Sequence, residues 1–292
     1  MLELTRGLSP TGLKAVAELE RRTVATDGGR LKLEWGALNT GGGRDVQEVL
    51  WWDERDNAKL LGFLGVYSFG SPTIELAGMV DPTARRRGIG AALLEAAMPL
   101  CAQQNATQVL LVVPRASTAG RELALSRGGT LDHSEHALVL PGEPLTGQDD
   151  PTLTLRPATA EDLPEVYRLL ASAFDWVPKD LARSLDAPDD LLMLAELAGQ
   201  PVGTLRLTRD GDHGRIYGFA VDPAFQGRGI GRAALRRACQ KLRQDGAKVV
   251  GLEVAVDNER ALGLYTSVGF SEETTEDYFA LPLTDEAGHA GQ

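Results

Sequence analysis

The 292 residues carry 30 Lys and Arg against 41 Asp and Glu, a formal net charge of −11. Phosphate contact is driven by Lys/Arg density, so this balance speaks against a nucleic-acid groove and favours a cationic partner such as an amine. Apolar content of 43% supports a core in each of about two domains, no apolar run reaches membrane length, and Met1-Leu2-Glu3 starts no signal peptide, so the expected setting is the cytoplasm.

In chain order, periodicity and turn residues predict a strand over 2–6, a helix over 10–25, strands over 46–52, 60–69 and 74–80, and a helix over 88–103. A β-branched strand over 109–113, a helix over 118–127 and a hairpin ending near Leu140 follow. Residues 141–151, with Gly142, Gly147, Asp149 and Asp150, have the polar, Pro/Gly-rich composition of a linker. The same order then recurs: a strand over 153–156, a helix over 159–174 with Thr159 as N-cap and Asp162 three residues later, and a short helix over 181–185. Strands over 191–197, 202–207 and 216–221 come next, with Gly199-Gln200 as the turn between the first two. A helix over 230–245, a strand over 249–256, a helix over 259–267 and a hairpin over 270–283 complete the chain. The expected domains are therefore 1–141 and 152–292, joined by 142–151.

The recurrence is literal at one place. Val221-Asp222-Pro223-Ala224-Phe225-Gln226-Gly227-Arg228-Gly229-Ile230-Gly231 repeats Val80-Asp81-Pro82-Thr83-Ala84-Arg85-Arg86-Arg87-Gly88-Ile89-Gly90 at an offset of 141 residues. A strand that breaks at Pro and enters a helix through a Gly/Arg loop leaves backbone N–H groups unpaired at the positive end of the helix dipole, beside cations. That is a phosphate site. Glycines there let a ligand approach the backbone closely, and Arg228 and Arg232 add countercharge. The plain alternative is a tight strand-to-helix turn with solvated arginines.

Gln226-x-x-Gly229-x-Gly231, then Leu235, Asn258, Ala261, Leu264-Tyr265 and Gly269-Phe270, resembles the acetyl-CoA motif and following segment of the GNAT superfamily of N-acetyltransferases. The resemblance spans 152–283 and implies an α/β (α+β) fold of two tandem domains, each a mixed, mostly antiparallel sheet with helices on both faces and a splayed parallel strand pair. It implies acetyl-CoA as cosubstrate without a metal, its diphosphate on the amides of 226–231 and its arm between the strands over 216–221 and 249–256. Tyr265 matches the usual general acid, with a core tyrosine as the alternative. Asn258 matches a position that touches the cofactor arm, or simply caps a helix. Glu253, in text similar to the ribosomal-protein alanine N-acetyltransferases, matches a base that deprotonates an acceptor ammonium of pKa about 8 to 10; a solvent-facing strand glutamate reads equally well. An oxyanion donor is implied near Ala220 or Val221.

The first half keeps Val80, Arg85, Arg86, Arg87, Gly88, Ile89 and Gly90 but aligns Leu125 with Tyr265, Thr118 with Asn258 and Val113 with Glu253. A leucine donates no proton, so catalysis is expected in the second half only. The acceptor is expected to be a small-molecule or peptide amine, with no nucleic acid or membrane partner, and the protein a monomer or weak dimer. The tandem layout also resembles the mycothiol synthases, but Arg215 and Tyr217 stand where those carry an acid. A binding module without turnover is a further alternative. Cys101 and Cys239 read as buried thiols, Trp51 and Trp52 as core, His133 and His136 as too sparse for a metal. Glu272, Glu273, Glu276 and Asp277 read as a solvated hairpin edge or a lure for a cationic amine.

Overall fold

The structure, a computed structural model, describes residues 1–40, 47–56, 59–148, 150–174, 177, 181–185, 187 and 189–283. Val46, Asp149 and the 284–292 end of the expected second domain lie outside the described residues. The chain forms two compact units, one from Met1–Ser134 with Thr274–Gln292, the other from Glu135–Glu273.

The first unit opens with β1 (Leu2–Thr5) and α1 (Pro10–Asp27). Ser9 caps α1 by accepting from the Gly12 amide at 3.1 Å, Pro10 occupies the first helical position, and Gly28 ends the helix at φ 73°. Then come α2 (Trp35–Thr40), β2 (Glu48–Trp52), β3 (Leu60–Ser68), β4 (Thr73–Val80), α3 (Ile89–Gln103), β5 (Gln108–Pro114) and α4 (Thr118–Ser126). Neighbouring strands from β1 to β4 are antiparallel, and β4 pairs β5 in parallel across the α3 crossover. One sheet face packs on α3 through Leu76, Leu93 and Leu111. The other packs on α1 through Val16, Leu19, Phe63 and Val112. Trp51 and Trp52 alternate onto these two faces.

After β6 (Thr130–Leu140) the pattern repeats as β7 (Leu153–Pro157), α5 (Leu163–Ala171), β8 (Asp190–Leu197), β9 (Gln200–Asp210), β10 (His213–Val221), α6 (Ile230–Gln244), β11 (Val249–Ala255), α7 (Glu259–Thr266) and β12 (Ser271–Leu281). Strands β7 to β10 are antiparallel in order, and β10 pairs β11 in parallel across α6. The β8–β9 turn is Ala198-Gly199, both at positive φ (50° and 81°), one residue earlier than Gly199-Gln200, because Gln200 already pairs with Leu197. Thr159 and Asp162 form the expected capping box, the Thr159 amide donating to Asp162 at 2.8 Å, while α5 stops at Ala171, short of the expected 174.

The two expected hairpins are corrected. Residues 130–140 and 271–281 are each one continuous strand, and each serves the opposite half of the sequence. In the second unit β6 pairs antiparallel with β11 from Leu140↔Val250 to Glu135↔Ala255. In the first, β12 pairs antiparallel with β5 from Glu276↔Pro114 to Leu281↔Val109. Both faces of β12 are used, Phe279 and Leu281 in the α3-side core and Tyr278 in the α1-side core, each such burial contributing about 1.5–3 kcal/mol. The compact units therefore divide the chain at 134/135 and 273/274 rather than along 142–151. That segment is itself packed: the Leu145 amide donates to the Val268 carbonyl at 2.8 Å.

Candidate active site

Both repeated turns are built alike. A 3₁₀ turn follows each parallel strand, capped by the aspartate of Val-Asp-Pro: Asp81 accepts from the Thr83 amide and Asp222 from the Ala224 amide, both at 2.9 Å. An arginine from the unit's first helix pins each carboxylate, Arg22 to Asp81 at 2.9 Å and Arg168 to Asp222 at 2.6 Å. Burial raises Asp81, but hydrogen bonds from Thr83 and the charges of Arg22 and Lys59 outweigh it and leave the carboxyl below its ordinary value. The Ala224 amide and Arg168 likewise lower Asp222. Gly88 (φ 82°) and Gly229 (φ 79°) then cap α3 and α6 in the left-handed region, where neither would meet an atom within 4 Å if given a Cβ. The space in front of both helix ends is open, as a phosphate cradle requires.

The loops differ in their side chains. Gln226 donates to the Val221 carbonyl at 2.9 Å and Arg228 lies 5.3 Å over the Phe225 ring. In the first unit Arg85 also reaches back to the Val80 carbonyl (3.3 Å), but it is clamped by Asp27 through two hydrogen bonds, and Arg86 by Glu122 at 2.6 Å. Arg86 holds φ 61° where the second unit has Gly227 at 76°. Arg87 is exposed. Ile89 and Ile230 are buried, anchoring the first turn of each helix.

Behind each loop the parallel strands part. The β4–β5 register runs from Thr73↔Gln108 to Ala77↔Val112 and stops. A cavity of about 610 Å³ opens beyond it, lined among others by Asp27, Gly78, Val80, Arg85, Gly88 and Gly120. In the second unit the β10–β11 register covers three pairs, His213↔Val249 to Arg215↔Gly251. A bulge between Tyr217 and Ala220 takes Gly218 (φ 54°) and Phe219 out of the β9 ladder, while Ala220 and Val221 stay level with Thr204 and Gly203. Phe219 stands at the repeat position of Gly78. With Val221 and Leu264 it closes around Gly231, where a Cβ would meet Leu264 at 3.0 Å; Gly90 meets Leu123 in the same way.

Tyr265 is buried on α7, edge-on to Phe270 with ring centroids 6.2 Å apart, and burial pushes its hydroxyl up to about 12. Asn258 caps α7, accepting from the Ala261 amide at 3.1 Å. Leu252 and Val254 point into the core that holds Tyr265, so alternation places Glu253 on the opposite face of β11, 3.9 Å from Arg215. The expected counterparts in the first unit are corrected by one residue: Ser117 caps α4 as Asn258 caps α7, and Leu123 meets Gly90 as Leu264 meets Gly231, so Ser117, Ala124 and Val112, not Thr118, Leu125 and Val113, stand at the positions of Asn258, Tyr265 and Glu253. Arg232 donates to the Ser267 hydroxyl at 3.0 Å, and with Gly229, Arg236 and residues 146–148 it lines a second cavity of about 320 Å³.

The acidic run is corrected too. Glu276 is fully buried against Arg30 and Asp277 nearly so against Arg115 and Ser134, all in the first unit, so these two form no solvated edge. His133 stacks on Tyr278 (4.2 Å), and His136 lies 3.4 Å from Glu272. Burial pushes Cys101 and Cys239 up to about 12. Among the described residues no cluster of three His, Cys, Asp or Glu could hold a metal ion, and no helix is long and apolar enough to cross a membrane. Sequence reasoning passed over Asp27, Glu122 and the bulge; a glycine inside a strand, Gly218, was the one local sign of the last.

The profile described as "Acetyltransferase (GNAT) family" matches residues 18–128 and again 160–270. A mycothiol acetyltransferase of Amycolatopsis mediterranei (strain U-32) is 31% identical over 236 residues, 72% of this chain and 75% of that protein. One from Clavibacter sepedonicus is 31% identical over 225 residues, 71% and 72% of the two chains. In fold, the crystal structure of a GCN5-related N-acetyltransferase from Sphaerobacter thermophilus is similar with a TM-score of 0.79 at 20% identity, over 97% of each chain.

Proposed function

Because the chain belongs to the acetyltransferase (GNAT) family and carries its pattern twice, we propose a division of labour between the units: the second transfers an acetyl group to the primary amine of a small molecule, and the first holds acetyl-CoA without turning it over. The open left-handed glycines heading α3 and α6 fit the diphosphate of acetyl-CoA, and the first unit's cavity lies within the range of ligand pockets, about 300–1,000 Å³. When bound, acetyl-CoA supplies an activated acyl group and a sulfur leaving group.

In the second unit the amides of 227–231, with Arg228 and Arg232, bind the diphosphate. Glu253 accepts the proton of the acceptor ammonium, which must be lost before the nitrogen can attack. Tyr265, kept protonated throughout the neutral range by burial, gives its proton to the departing sulfur. Backbone N–H groups on the β11-facing edge of β10, past Arg215 and near Ala220 and Val221, steady the oxyanion. One observation carries this reading: the second unit holds both a buried phenol, Tyr265 on α7, and a carboxylate, Glu253 on the opposite face of β11 two residues past its last pair with β10, whereas Ala124 and Val112 hold those positions in the first.

The test counts sites and turnover separately. Wild-type protein should bind two equivalents of acetyl-CoA by calorimetry. Tyr265→Phe should lower kcat about 10²- to 10⁴-fold with both equivalents still bound. Gly88→Val, which puts a β-branched residue at positive φ, should bind one equivalent and keep turning over. Turnover that survives Tyr265→Phe, or disappears in Gly88→Val, overturns the division.

The names of the two relatives favour a second reading, a thiol-bearing sugar amine as acceptor. Free mycothiol precursor and simple amines, compared by release of coenzyme A, separate the two.

A further inference from the structure

The sheet face of the second unit that carries Glu253 also carries two arginines held in different ways. Arg215 on β10 lies level with Thr208 on β9 and Gly251 on β11; Tyr217, two residues on, lies level with Arg206. Arg206 closes two hydrogen bonds on Asp190, at 2.5 and 2.6 Å. Its charge is matched.

Arg215 is held loosely. Its guanidinium lies over Gly251, 3.7 Å from where a Cβ would stand, and its Nη1 is 3.9 Å from Glu253 Oε1 with about a third of the side chain (34%) exposed. That separation is an ion pair beyond hydrogen-bond reach, so the planar donor fork is not spent on Glu253. A carboxylate offers such a fork two parallel acceptors.

We propose that Arg215 selects the acceptor, and that the acceptor is a small amine carrying a carboxylate a few bonds from its nitrogen. This rests on the reading of the second unit as the catalytic one. An amino acid or short peptide is a zwitterion whose charges run opposite to the Arg215–Glu253 pair: its carboxylate meets the guanidinium while its ammonium meets the base. Each member of the loose Arg215–Glu253 pair then gains a matched contact, and the nitrogen is delivered to the group that deprotonates it. An acceptor with a second cation instead would set like charges together at Arg215.

Release of coenzyme A from acetyl-CoA should be followed with paired acceptors, free amino acids and dipeptides against their C-terminal carboxamides, with polyamines alongside. Charge-assisted hydrogen bonds of about 1.5–3 kcal/mol translate into a roughly 10- to 150-fold preference of wild type for the free acids in kcat/KM. Arg215→Gln should erase the difference between acid and amide, mainly by raising KM for the acids, and Arg215→Lys should restore part of it. A wild-type enzyme that treats acid and amide alike, that acetylates only polyamines, or that acetylates no carboxylate acceptor, overturns the proposal without any variant. So does a preference that survives Arg215→Gln. Failure of the underlying reading has a separate signature, undiminished turnover in Tyr265→Phe.

Discussion

The two glycine turns share eleven aligned positions and an identical frame of aspartate cap, pinning arginine and left-handed glycine, yet they present different surfaces. In the first unit the loop cations are bound to the protein's own carboxylates, Arg85 to Asp27 and Arg86 to Glu122. In the second they are spread over a ring and a hydroxyl, Arg228 on Phe225 and Arg232 on Ser267. Behind the turns the side chains differ as well, with an open cavity beside Gly78 and Phe219, at the matching position, set against Gly231. Duplication has preserved what the backbone needs. The positions proposed to carry chemistry, 112/253 and 124/265, are ones the backbone does not need, and there the copies parted.

The sharpest way to break the comparison is to separate the halves. A fragment of residues 1–141 keeps β6 but lacks β12, and its complement has the opposite defect, so each should fail to unfold cooperatively in urea while the co-expressed pair recovers the transition. Two independently folding fragments would refute the strand exchange. A milder cut is Phe279→Ala: removal of this buried ring should cost about 3–5 kcal/mol, abolish acetyl-CoA binding by the first unit at lower urea than wild type, and leave kcat in place.

Titration sharpens it next. Because Tyr265 is pushed up to about 12, kcat should show no alkaline decline up to about pH 10. In the acid direction, Asp81 and Asp222 are lowered in the fold, so the stability they confer is complete above the unfolded carboxylate value of about 3.9 and is lost as pH falls through their lower folded values. Asp81→Asn should therefore flatten the dependence of Tm on pH below pH 4. The smallest effect concerns the loops: Arg86→Gly relieves a left-handed arginine worth about 1 kcal/mol, less whatever the exposed Arg86–Glu122 pair contributes, and should raise the Tm by a few degrees at most, while Gly227→Arg lowers it.

The repeat, both turns, the long helices and most strands were readable from residues alone, since each depends on local signals: a cap, a glycine at positive φ, an apolar period. Tyr265 and Glu253 could be put on α7 and β11 because motif spacing carries them along, but their counterparts in the first copy slipped by one residue, since Gly128 and not Gly129 is the left-handed match of Gly269. Strand partners could not be read. The alternation in 130–140 and 271–281 specifies two faces but not which distant edge accepts them. For the same reason Glu276 and Asp277 passed for solvated side chains: the arginines that make their burial tolerable, Arg30 and Arg115, lie 246 and 162 residues away along the chain. The short α2 has too few turns to show a period, and Phe219 gains its meaning only beside Gly78.

Strand exchange also sets a clock on biosynthesis. When the ribosome has finished β5, the strand that will cover its free edge lies beyond residue 273, and at about 5–20 residues per second it emerges roughly 10–30 s later. Throughout that interval Val109, Leu110, Leu111, Val112 and Val113 offer an apolar, unpaired rim to any neighbouring nascent chain. Yield in the cell should then depend on chaperone supply and elongation speed more than on the stability of the finished molecule.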